Sequence, residues 1–174
     1  MKNLLLFGGS FNPPHIGHMF ALCYAMSTGK FKEADVIPVY KHAYDKELID
    51  FNHRMEMCSL AFEWLRKVYV GNAEEALTKK RGGQIYTYDL VMQFRNMGVT
   101  KDIYLLLGTD AYQDMSNWHE SEKLLKEITP FVVPRNLMAE GVSSSTIRKD
   151  VSKNRFMLPP TVWDYIQKHK LYDL

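Results

Sequence analysis

The chain has 174 residues, 46% of them hydrophobic and 24% charged, with a formal net charge of +2. That length is enough for one domain over residues 1–174 with a sizeable core, and so small a net charge argues against nucleic acid or a membrane surface as partner. No apolar stretch approaches the roughly 18 residues of a membrane span, and the run Leu4 to Phe7 leads into glycines instead of a cleavage site. Two cysteines, Cys23 and Cys58, both in helix-like patterns, read as reduced core residues, so a soluble cytoplasmic protein is expected.

Taken in chain order, Leu4-Leu5-Leu6-Phe7 is a continuous apolar run closed by Gly8-Gly9, the pattern of a strand buried on both faces. Ile16, Met19, Phe20 and Cys23 recur at helical spacing up to Gly29. Ala34 to Val39 reads as a second buried strand, followed by a polar and aromatic loop from Lys41 to Phe51. Met55, Cys58, Phe62 and Leu65 mark a second helix, and Val68 to Val70 a short strand. Residues 72–85 are polar, and Lys79-Lys80-Arg81-Gly82-Gly83 reads as an exposed, mobile loop. A helix from Tyr88 to Met97 stops at Gly98, and Ile103 to Leu107 is a strand ending at Gly108. Leu124 to Ile128 closes another helix, Phe131 to Val133 forms a short strand before Pro134, and Ser143 begins a helical stretch. Pro159-Pro160 opens the last helix, with Val162, Tyr165 and Ile166 on one face. Alternating strands and helices without repeats or linkers predict right-handed β-α-β units around a parallel sheet, an α/β architecture. Ligands then bind beyond the carboxyl ends of the strands, in the loops after Phe7, Val39, Leu107 and Val133.

The segment Gly8-Gly9-Ser10-Phe11-Asn12-Pro13-Pro14-His15-Ile16-Gly17-His18 carries the most chemistry. Two glycines leave a strand end bare, so that a phosphate can approach backbone N–H groups, and the proline pair stiffens the turn. A helix starting near His15 turns its positive dipole end to the same space, with His15 and His18 on one face. Gly17 between them removes a side chain that would block phosphates. The segment has neither the P-loop pattern nor the dinucleotide fingerprint. Two histidines at this spacing also suit zinc, but neither cysteine stands as an obvious third ligand; structural capping is the plainer alternative. The segment resembles the H-x-G-H signature of the Rossmann-like nucleotidyltransferase superfamily, and in its fuller form is similar to the nicotinate mononucleotide adenylyltransferase family. The resemblance implies that His15 and His18 contact ATP phosphates, with Gly8, Gly9, Ser10 and Phe11 forming the loop around the nucleotide.

Near the other end stands Val142-Ser143-Ser144-Ser145-Thr146-Ile147-Arg148. Hydroxyls at a helix start cap it or donate to an anion, and an arginine one turn later adds a cation with fork geometry. By itself this is an N-cap plus a surface arginine. It also resembles the family's Ile-Ser-Ser-Thr-x-Ile-Arg motif, which implies that Ser144, Ser145 and Arg148 hold ATP phosphates opposite the two histidines.

Further stretches match the same family. Gly108-Thr109-Asp110 offers a carboxylate to ribose hydroxyls, or else an N-cap aspartate; Trp118 stacks on a nicotinate ring in the family, or else fills core. Tyr86-Thr87 matches a pair contacting the pyridine nucleotide. Lys41 and Arg54 stand where the family has basic residues near phosphates, although either reads equally as solvated surface; Arg135 matches the basic residue after the last strand. The resemblance covers nearly the whole chain, with a small helical extension at the C-terminus. Two departures stand out: seven residues separate Arg135 from Ser143 where the family has a much longer stretch, and Val39-Tyr40-Lys41-His42 replaces a Pro-Pro-His pattern.

The activity implied is an in-line attack by a mononucleotide phosphate on the α-phosphorus of ATP, releasing pyrophosphate. Because such a phosphate is mostly dianionic at pH 7, no general base is required. Positive charge from His15, His18, Arg148 and a Mg²⁺ carried on the ATP phosphates would stabilise the transferred group, with no dedicated protein metal site. ATP and a pyridine mononucleotide are the expected partners, with a homo-oligomer admissible. Nicotinamide mononucleotide or phosphopantetheine as acceptor, and a non-catalytic nucleotide sensor, are the alternatives.

Overall fold

The computed structural model describes residues 3–41, 47–134 and 141–174. Five parallel strands form one sheet: β1 (Asn3–Gly9), β2 (Phe31–Pro38), β3 (Val68–Val70), β4 (Ile103–Gly108) and β5 (Ile128–Val133), in the order β3-β2-β1-β4-β5. Among the described residues eight α-helices flank it: α1 (Ile16–Ser27), α2 (Phe51–Phe62), α3 (Ala73–Arg81), α4 (Thr87–Asn96), α5 (Thr109–Asp114), α6 (Ser121–Glu127), α7 (Ser144–Lys149) and α8 (Pro160–His169).

The apolar run at the start of the chain explains why the sheet sits in the middle. Leu5 and Phe7 join one core with α1, α2 and α8, whereas Leu4 and Leu6 join a second core with Leu90, Val91 and Leu124. Side chains alternate across a strand, so only a run without polar positions can feed both layers. Among the described residues no helix is long and apolar enough to cross a membrane.

Three local expectations change. Lys79, Lys80 and Arg81, expected at the start of a mobile loop, form the last turn of α3, whose first turn carries Glu74 and Glu75, the charge order that suits a helix dipole. Ile128 opens β5 instead of closing a helix, and Pro130 is tolerated there because β5 is an edge strand. Cys58 is buried, but Cys23 is only partly so, and both thiols are free.

The sheet itself makes the crevice. The strand order reverses between β1 and β4, the switch point at which open α/β sheets bind ligands. Pairing between these strands runs only from Leu4 opposite Ile103 to Leu6 opposite Leu105, although β1 continues to Gly9 and β4 to Gly108. The carboxyl ends therefore splay apart.

Candidate active site

Into that gap opens a cavity of about 380 Å³, within the range of about 300–1,000 Å³ usual for small-molecule sites. Gly8, Gly9 and Ser10 form one wall, Lys41 another, and Tyr86, Thr87 and Trp118 a third. A methyl group at Gly8 would meet nothing within 4 Å, so the strand end stands bare toward the space.

The aromatic wall is held rigidly. The Trp118 indole Nε1 donates to Asp114 Oδ2 at 3.2 Å, while Asn117 donates to the other carboxylate oxygen at 3.0 Å. Tyr86 stacks on His119 with ring centroids 4.2 Å apart and an interplanar angle of 26°. Its backbone N–H donates to Asp89, which also pairs with Arg81 at 2.9 Å. His119 and Glu74, both cavity-lining, are not among the residues the sequence singles out.

Glu74 is buried, and burial raises its carboxyl to about 7, against the opposing pull of the Tyr40 and Lys41 N–H groups and of Arg54. It accepts from the Tyr40 N–H at 3.0 Å and so fixes the turn that carries Lys41. Arg54 works on the carbonyls of the same turn. Only 1% exposed, it is not solvated surface. Its guanidinium donates to the carbonyls of Ile49, Ser10, Val39 and Tyr40, tying the ends of β1 and β2 together.

Beside the cavity, the turn after β1 makes the second half of the site. Phe11 has φ 44° and turns its ring into the core against Phe7 and Phe62, leaving its backbone to the loop. A Cβ on Gly9 would come within 3.1 Å of that ring. His15 is the N-cap of α1, and its ring stacks on His18 at 3.7 Å. The sequence assigns Gly17 to clearing space for phosphates, and a Cβ there would also lie 3.0 Å from His15 Nδ1, so a side chain at this position would press on the imidazole.

Neither histidine is a resting cation. Burial lowers His15 to about 4, and its Nδ1 has no partner among the described residues. His18 is held well below its usual range by burial first and by neighbouring His15 second. The backbone N–H of His15 donates to His18 Nδ1 at 3.2 Å. A backbone N–H can only donate, so Nδ1 carries the lone pair and the neutral ring keeps its proton on Nε2. His18 is thereby a preset neutral donor.

The motif from the far end of the chain docks on this turn. Ser143 caps α7, accepting from the Thr146 N–H at 3.0 Å. Ser144 Oγ donates to the Pro13 carbonyl at 2.8 Å, and Arg148 Nη1 to the Asn12 carbonyl at 2.5 Å. Ser145 remains exposed, 3.5 Å from Arg148 Nη2. On the β4 side Gly108 is the N-cap of α5 and Asp110 lies exposed in its first turn, which removes the N-cap role for the aspartate. Arg135 lies outside the described residues, as do His42 and most of the short segment before Ser143.

Among the described residues no group of three or more His, Cys, Asp and Glu side chains is arranged to hold a metal ion.

Residues 6–150 match the cytidylyltransferase-like family. The chain is 31% identical to a Streptococcus mutans protein named probable nicotinate-nucleotide adenylyltransferase, over 98% of this chain and 89% of the relative. The fold is similar to that of Plasmodium falciparum nicotinic acid mononucleotide adenylyltransferase complexed with NaAD, with a TM-score of 0.83, 24% identity, and coverage of 99% of this chain and 98% of that one. The same enzyme complexed with APC gives a TM-score of 0.79 at 22% identity, again over 99% and 98% of the two chains. With a cavity at the sheet's switch point and the segment at residues 142–148 docked on the turn that leads to His15 and His18, this chain belongs to the cytidylyltransferase-like family and, within it, to the nicotinate-nucleotide adenylyltransferases.

Proposed function

We propose that this protein transfers the AMP half of Mg·ATP to nicotinate mononucleotide, releasing pyrophosphate and forming the deamido dinucleotide. A dianionic oxygen of the mononucleotide phosphate forms a bond to the α-phosphorus as the α–β bridging P–O bond breaks. The leaving pyrophosphate takes the electron pair. Since the nucleophile is already ionised, the protein's task is positioning and charge stabilisation.

The observation that carries this reading is the docking of Ser144 on Pro13 and of Arg148 on Asn12, which sets a guanidinium beside the histidine turn. His18 donates through Nε2–H, and Arg148 supplies the permanent cation. Ser10, Ser145 and the loop N–H groups line the phosphate path, with Asp110 toward the ribose. The adjoining cavity takes the mononucleotide: Trp118 and the Tyr86–Thr87 pair receive the pyridine, and Lys41 faces the phosphate.

The test is to mix the protein with Mg·ATP and, separately, nicotinate mononucleotide, nicotinamide mononucleotide and phosphopantetheine, and to measure pyrophosphate. Turnover highest with nicotinate mononucleotide is expected. Preference for another acceptor would reassign the substrate, and nucleotide binding without turnover on any acceptor would sink the enzyme reading.

A further inference from the structure

We propose that Tyr172, near the carboxyl end of the chain, is a positioning residue for the phosphate-binding turn, holding Asn12 so that its carbonyl can fix Arg148. This inference rests on the adenylyl-transfer reading above.

Asn12 is 2% exposed and is held from three separate parts of the chain. The Tyr172 hydroxyl donates to its Oδ1 at 2.8 Å, across 160 residues of sequence. Its Nδ2 donates to the Glu47 carbonyl at 3.3 Å, and its own carbonyl accepts from Arg148 Nη1 at 2.5 Å. A side-chain amide whose oxygen and nitrogen are both engaged cannot rotate, and it restrains the Asn12 backbone whose carbonyl receives the guanidinium. A buried network of this kind rigidifies only when each member is satisfied, and Tyr172 supplies the member that nothing else on the turn provides.

The tail is shaped to deliver this hydroxyl. Past α8, Lys170, Tyr172 and Asp173 have φ of 49°, 61° and 63°, left-handed conformations that are unfavourable for a non-glycine residue. The backbone curls so that the Tyr172 ring packs against the core cluster while its oxygen reaches the turn. Burial raises the phenol above its ordinary range, so it remains a donor throughout the physiological interval. Packing alone would be served as well by phenylalanine. The oxygen has a separate job.

The test is Tyr172→Phe in the full chain, which keeps the ring and removes one atom. With pyrophosphate release as the assay, kcat is expected to fall about tenfold, the scale of one well-formed hydrogen bond, while KM for Mg·ATP and for the mononucleotide stays within about twofold. Adding Asn12→Ala to the variant should lower kcat no further than Asn12→Ala alone, because both act through one network. A readout independent of turnover is the NMR spectrum of the Arg148 guanidinium. Restricted rotation should resolve its two Nη signals in the parent protein, and they should merge in the variant. Unchanged kcat per folded molecule, additive losses in the double variant, or unaltered Arg148 signals would each overturn the proposal. An inactive parent protein would instead overturn the adenylyl-transfer reading, leaving the NMR comparison to decide the role of Tyr172.

Discussion

Arg148 and Asn12 lie 136 positions apart, yet the guanidinium Nη1 of one sits 2.5 Å from the backbone carbonyl of the other. One side of the fork is thus committed to the turn after β1, which orients the rest of the cation beside the histidines. A lysine at this position keeps the charge but loses the fork. Arg148→Lys is expected to fold normally and to lower kcat about 10- to 100-fold, checked by steady-state kinetics alongside a thermal melt. Activity equal to the parent would mean that charge alone suffices there.

The His18 tautomer makes a finer prediction. Asparagine can place an amide near the position of Nδ1, and glutamine near that of Nε2. If Nε2–H is the functional donor, His18→Gln should retain at least about ten times the kcat of His18→Asn. The asparagine variant should lose about 10²- to 10³-fold, as for one preorganised donor. The reverse ranking would mean that the ring works through its other nitrogen.

Buried His15 and Glu74 pull the pH dependence of stability in opposite directions. His15 titrates at about 4 in the folded chain against an ordinary 6.5, so between those values only the unfolded state binds its proton. Its contribution is complete above pH 6.5 and is lost as pH falls toward 4, by up to about 3 kcal/mol. Glu74 titrates at about 7 against 4.5, so the folded state holds the extra proton and stability declines as pH rises from 4.5 to 7. Urea midpoints measured from pH 4.5 to 7 should therefore rise more steeply with pH in Glu74→Gln than in the parent, and less steeply in His15→Gln. Identical slopes in all three proteins would contradict both assignments.

How much of this was readable in advance depends on what each residue touches. Leu4 to Phe7 was legible because burial on both faces leaves no room for a polar position, and composition alone records that. Helix α3 was hidden by its polarity: of its nine residues only Glu74, Leu77 and Thr78 are buried, too few for an apolar stripe. Its acidic first turn and basic last turn were the available clue. Arg54, expected near phosphates by resemblance or else on the solvated surface, shares the inner face of α2 with Met57, Cys58 and Ala61, a burial that its residue type does not announce. A charge on an apolar stripe signals a buried network. The histidine motif suggested a phosphate ligand through its residue types and its family resemblance, but the stacking, the tautomer and the crowding at Gly17 depend on coordinates. So does the Asn12 network, whose partners are spread across the chain.

Trp118 and Asp114 separate binding from chemistry in the other half of the site. The indole edge is pinned by the Asp114 carboxylate at 3.2 Å, so the ring's plane is set before any ligand arrives. Trp118→Ala removes the stacking surface and should raise KM for the mononucleotide by about 10- to 100-fold, on the scale of 1–3 kcal/mol for an aromatic platform. Asp114→Ala leaves the ring but frees its tilt, and a smaller rise of about three- to tenfold is expected, since only preorganisation is lost. In both variants KM for Mg·ATP should stay near the parent value, because the Trp118–Asp114 contact involves none of the residues that dock α7 on the turn after β1. An equal rise in both Michaelis constants would show that the two halves of the site are not independent, and that Trp118 supports the fold of the crevice instead of the pyridine.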